Sequence, residues 1–141
     1  MQPRPTEVPS LPVAASRPMH VLILGRDRQF KRMARLLFEQ RGSLVRTGGD
    51  VAQAAALLQR HRADVLVLDI TDAVTSSMRT AAALAAMAVP VGIVYVGDAA
   101  TSLSQTLSVL PKWGPFDELF GSAERAYRSS RGIAWSDDAA L

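Results

Sequence analysis

Cysteine is absent from the 141 residues. Disulfides, thiol nucleophiles and thiolate metal sites are excluded with it. Histidine is scarce: His20 and His61 are the only two, far apart in the chain. No spacing ties them to a metal site, and a Ser-His-Asp triad has no support. No apolar run approaches the ~18 residues of a membrane span. The stretch Leu11-Pro-Val-Ala-Ala15 is broken by proline and falls short of the ~7–15 apolar residues of a secretory signal. A cytoplasmic protein without membrane attachment is the expectation. The glycines form neither a G-x-G-x-x-G nor a phosphate-binding loop, so a dinucleotide site has no support. Sixteen basic against thirteen acidic residues leave a net charge of +3. That small excess comes with no nucleic-acid recognition motif, so nucleic acid is not the expected partner.

What the chain does have is an alternating pattern between two loose ends. Residues 1–18 carry Pro3, Pro5, Pro9, Pro12 and Pro18, five of the eight prolines, and read as a flexible, partly extended leader. Residues 129–141 are also loosely patterned and read as a C-terminal tail. Between them, His20-Val-Leu-Ile-Leu24 is a buried-strand pattern ended by Gly25. A helix follows over 27–41, with Phe30, Met33, Ala34 and Leu37 on one face and Gly42 as its stop. Residues 43–47 make a second strand. Asp50 caps a second helix through Val51, Ala54, Ala55 and Leu58. Ala63-Asp-Val-Leu-Val-Leu-Asp69 is the strongest strand, apolar between two aspartates, as a central parallel strand should be. An alanine-rich helix is expected over 71–87, a strand over 89–96, a short helix over 99–108, a poor strand within 109–116, and a last helix over 116–128 with Phe116, Phe120, Ala123 and Tyr127 on one stripe. Five β-α repeats predict an α/β domain over 19–128, a five-stranded parallel sheet with helices on both faces. Its functional crevice belongs at the C-terminal strand ends, where Gly25, Arg26, Asp27 and Asp69 fall.

Four segments in this order carry a resemblance: His20-Val-Leu-Ile-Leu24, Ala63 to Ile70, Val89-Pro-Val-Gly-Ile-Val94, and Pro115-Phe-Asp-Glu-Leu119. Together they resemble a response-regulator receiver domain, which implies a flavodoxin-like (βα)5 fold. The resemblance makes Asp69 the match to the family's phosphoacceptor. Two acidic residues should follow the first strand to hold Mg²⁺. Gly25 and Arg26 stand there, and only the next residue, Asp27, is acidic. Counting from Pro90 puts Tyr95 where the family has a small hydroxyl residue. The family's Lys-Pro-Phe reads here Lys112-Trp-Gly-Pro-Phe116, so either Lys112 reaches the pocket over an insertion or Gly114 has replaced the lysine. The chain thus resembles a degenerate, or pseudo-, receiver whose pocket comprises Asp69, Arg26, Asp27, Tyr95 and Lys112, with no metal, no cofactor and no enzyme activity. Arg26 either pairs with Asp69 or points to solvent.

The implied function is stand-alone signalling by protein–protein contact, independent of phosphorylation. Expected partners are a histidine kinase or phosphotransfer protein, another regulatory protein, or a second copy of the chain. Two rivals stand beside it: a working phosphoaccepting receiver, and a sensor that binds a phosphorylated nucleotide through the basic first helix. Residues 26–46 hold seven basic residues against two acidic ones; Arg28, Arg32 and Arg35 are the candidate contact residues of that face. The other candidate is Trp113, an interface anchor if exposed. The face between the fourth and last helices is the expected dimer surface.

Overall fold

The computed structural model describes residues 17–71, 79–80, 83–84, 90–97 and 109–140, the last ten by backbone course alone. Its elements are β1 (His20–Leu24), α1 (Arg28–Gln40), β2 (Leu44–Gly48), a short 3₁₀ turn (Val51–Gln53) running into α2 (Ala54–Arg60), β3 (Val65–Asp69), β4 (Gly92–Gly97), β5 (Val109–Pro111) and α3 (Phe116–Ala140). All paired strands are parallel, in the order β2-β1-β3-β4-β5. This is the flavodoxin-like order, so the expected architecture holds.

Alternation along the strands sorts the core into two layers. Val21, Ile23, Val65, Val67, Val94 and Val96 point to one face, against Phe30, Ala34 and Phe38 of α1 and Leu119 and Ala123 of α3. Leu22, Leu24, Leu66, Leu68 and Tyr95 point to the other, against Val51, Ala54 and Leu84. β3 is buried along its whole length, which is why its sequence runs continuously apolar. The close seating of α3 rests on Gly92, where a Cβ would meet the Ala126 backbone at 2.5 Å.

Asp27 caps α1 by accepting the Phe30 N–H at 3.0 Å. Two local expectations hold. Gly42 ends that helix at φ 89°, a conformation that favours glycine. Asp50 and Gln53 form a capping box.

Others need correction. The buried stripe of α1 is Phe30, Ala34 and Phe38, while Met33 is exposed; spacing by four follows the 3.6-residue period, and position 33 falls off that line. The core-facing stripe of α3 is centred on Leu119 and Ala123, with Phe116, Phe120 and Tyr127 only partly buried around it. α3 also continues past residue 128 to Ala140, through the stretch read as a tail. No proline follows Pro115, so nothing in the covalent chain stops the helix.

The leader through residue 16, most of the alanine-rich helix, the short helix at 99–108 and the dimer face built on it lie outside the described residues. No described helix is long and apolar enough to cross a membrane.

Candidate functional site

The C-terminal ends of β1, β3 and β5 meet in one small cleft lined by Gly25, Arg26, Asp27, Asp50, Asp69, Thr71 and Lys112. Strand alternation explains who is aimed there. Asp69 shares its face with Val65 and Val67, and in β5 the face of Leu110 continues to Lys112. Gly25 follows Val21 and Ile23 on that face. A Cβ on Gly25 would lie 2.6 Å from the Asp69 Cβ, so a side chain here would force the strand end to shift.

The centre of the cleft is the Lys112 ammonium, 2.8 Å from Asp69 Oδ2 and 2.8 Å from Asp27 Oδ2. Both Lys112 and Asp69 are buried, with side chains 7% and 4% exposed. The remaining carboxylate oxygens are also occupied. Asp69 Oδ1 accepts the Thr71 hydroxyl at 2.8 Å and the Thr71 N–H at 3.1 Å, an Asx-type turn. Asp27 Oδ1 accepts the helix cap bond from Phe30. Burial alone would lower the Lys112 pKa, but hydrogen bonds to Asp27 and Asp69, with their charges, outweigh it and raise the group above its ordinary value. The hydrogen bond from Lys112, then that from the Phe30 N–H, hold the Asp27 carboxyl below its usual range. The cleft is small and open to solvent on one side.

The aromatic shell is part of the same unit. The ammonium lies 5.7 Å from the Phe30 ring centre and 6.0 Å from that of Trp113. Trp113 meets Phe30 and Phe116 edge-on at 5.8 and 6.4 Å, yet half of it is exposed. It is therefore both a lid over the lysine and a surface aromatic.

Of the five pocket residues expected from sequence, the structure brings Asp69, Asp27 and Lys112 together. Lys112 reaches the cleft across Trp113 and Gly114, and Gly114 does not line it. Arg26 lines the rim but does not pair with Asp69: its guanidinium reaches Asp50 Oδ2 at 3.1 Å on the surface. Lys112 already satisfies the buried carboxylate, and the exposed Asp50 carries no such charge neutraliser. Backbone bonding from Ala52, followed by Arg26, lowers the Asp50 pKa.

Tyr95 is not in the cleft. The register pairs Asp69 with Val96 and Leu68 with Tyr95, so Tyr95 points with Leu68 into the opposite core layer. Burial there pushes its hydroxyl pKa up. Thr71 was missed from sequence; its signal is a hydroxyl residue two positions after an aspartate, the spacing of a side-chain-to-backbone turn.

On the basic face, Arg28 and Arg32 are exposed. Arg35 is tied to Glu39 at 3.0 Å, and Lys31 donates to the Gly48 carbonyl at 3.0 Å.

No family model matches the chain, and no curated protein matches its sequence. Solved structures do match. The receiver domain of a Francisella response regulator superposes with a TM-score of 0.67 at 17% identity, covering 79% of this chain and 98% of that one. A sensor protein from Polaromonas sp. JS666 gives 0.68 at 24% identity, over 82% and 99% of the two chains. The response regulator TrrA of Thermotoga maritima, solved with Mg²⁺ and BeF, gives 0.65 at 16%, over 77% and 98%. The chain has the fold of response-regulator receiver domains.

Proposed function

We propose that this chain is a receiver-type signalling module that acts by protein–protein contact and whose carboxylate site is held by an internal cation instead of being switched by phosphorylation. The observation that supports it is the Lys112 ammonium bridging Asp69 and Asp27 at 2.8 Å each. Mg²⁺ needs near-ideal octahedral oxygen ligands and keeps several waters. Here all four oxygens of the two carboxylates are engaged, one of them by the cap of α1. Gly25 has no side-chain donor, and Arg26 brings a positive charge. The donor set does not fit the metal, and phosphoryl transfer without it leaves the charge on the transferring oxygens uncompensated.

The partners that suit this reading are a histidine kinase or phosphotransfer protein, another regulatory protein, or a second copy. Trp113 with Arg28 and Arg32 offers them an aromatic anchor and charge. The test is incubation of the chain with acetyl phosphate and Mg²⁺, followed by intact-mass measurement. No phosphoryl adduct is expected, and Asp69→Asn should capture partners from extract as the parent does. An adduct on the parent that Asp69→Asn abolishes overturns the reading in favour of a working phosphoacceptor.

A further inference from the structure

The sheet ends at β2, and no described element pairs with its outer edge. Its inner edge is fully used. The Leu44 N–H donates to the Met19 carbonyl, and the Gly48 carbonyl accepts from Gly25. Leu44, Arg46 and Gly48 therefore turn their backbone groups toward β1. The intervening Val45 and Thr47 turn theirs outward, since backbone groups alternate along a strand.

Two adjoining hollows of about 400 and 320 Å³ run along this edge. His20, Arg35, Arg46, His61 and Arg62 line them, and Glu39 is the one acidic residue in either lining. Arg35 is paired with Glu39 and Arg62 with Asp64, so Arg46 is the arginine of this lining without an ion pair among the described residues. Arg46 stands exposed on the edge strand itself.

We propose that the outer edge of β2 docks an extended, acidic peptide segment of a partner protein, added as a further strand. Main-chain bonds from Val45 and Thr47 would give the pairing, and the flanking basic groups its selectivity. The same charge argues against a second copy. An arginine on an edge strand opposes self-pairing, because two β2 edges would bring their Arg46 side chains together. This inference rests on the sheet edge and is independent of the state of Asp69.

The test uses the full chain labelled with ¹⁵N and titrated with a capped peptide of alternating valine and glutamate. A valine–lysine peptide is the control. The glutamate peptide should protect the Val45 and Thr47 amides from hydrogen exchange, and the lysine peptide should not bind. Arg46→Glu, an exposed substitution that leaves the fold intact, should weaken binding about tenfold or more. Thr47→Pro should abolish it, since an edge strand tolerates proline but loses the outward donor. Protection at other amides, or equal binding of both peptides, overturns the proposal. So does a concentration-dependent dimer that Arg46→Glu dissolves, which would assign this edge to a second copy.

Discussion

Replacing Lys112 with methionine keeps most of the side-chain volume and removes the charge. Asp69 is then left 4% exposed with no cation beside it. Removing one partner of a buried ion pair typically costs ~3–5 kcal/mol, because the surviving charge stays desolvated. Asp27 adds less to the loss, since its side chain is 30% exposed and water can replace the ammonium. At ~2 kcal/mol per molar urea, the unfolding midpoint should fall by about 1.5–2.5 M. The mechanism makes one further demand. Adding Asp69→Asn to Lys112→Met should restore much of the loss, a coupling that a double-mutant cycle reads directly. Urea denaturation followed by circular dichroism supplies both results. A loss below about 1 kcal/mol that is indifferent to Asp69→Asn would overturn this expectation.

Gly25→Ala should destabilise by ~1–3 kcal/mol in the same assay, since its Cβ would meet Asp69 at 2.6 Å and the strand end must shift. Thr71→Val should cost about 1 kcal/mol through the lost hydroxyl bond to Asp69, whereas Tyr95→Phe should leave the amide spectrum of the cleft residues unchanged, because that side chain faces the other core layer. The stability contributed by the ion pairs of Asp27 and Lys112 should be complete across neutral pH: a lowered carboxyl loses its part only as pH falls below 3.8 toward its folded value, and a raised ammonium only as pH climbs past 10.5 toward its own. Thermal melts from pH 3 to 11 check both limbs.

The fold was legible because its strands are buried on both sides or end in unmistakable punctuation. Val65 to Asp69 reads as a strand from composition alone, and Gly42 and Asp50 mark helix ends by their own chemistry. The site was legible only in part, for a geometric reason. Counting along β4 reached Tyr95, but the face a strand residue points to depends on register, and one residue of offset moves a side chain to the opposite layer. The same alternation puts Gly25, Asp69 and Lys112 together, a juxtaposition that appears only once β1, β3 and β5 are known to be parallel on one sheet. Charge left Arg26 open between Asp69 and solvent, and the insertion before Pro115 left the reach of Lys112 open; the structure gives the buried carboxylate to Lys112 and leaves Arg26 on the surface with Asp50. Met33 shows the limit of helix periodicity: it lies within the apolar half of α1 by spacing, but the core packs against Phe30, Ala34, Leu37 and Phe38 and leaves Met33 exposed.

Titration of Mg²⁺ into the ¹⁵N-labelled chain, following the amides of Gly25, Arg26, Asp27 and Asp69, decides whether the Lys112 ammonium stands where a metal would bind. No saturable shift is expected at these amides in the parent. A saturable shift there, abolished by Asp69→Asn, would show that the cleft takes the metal after all.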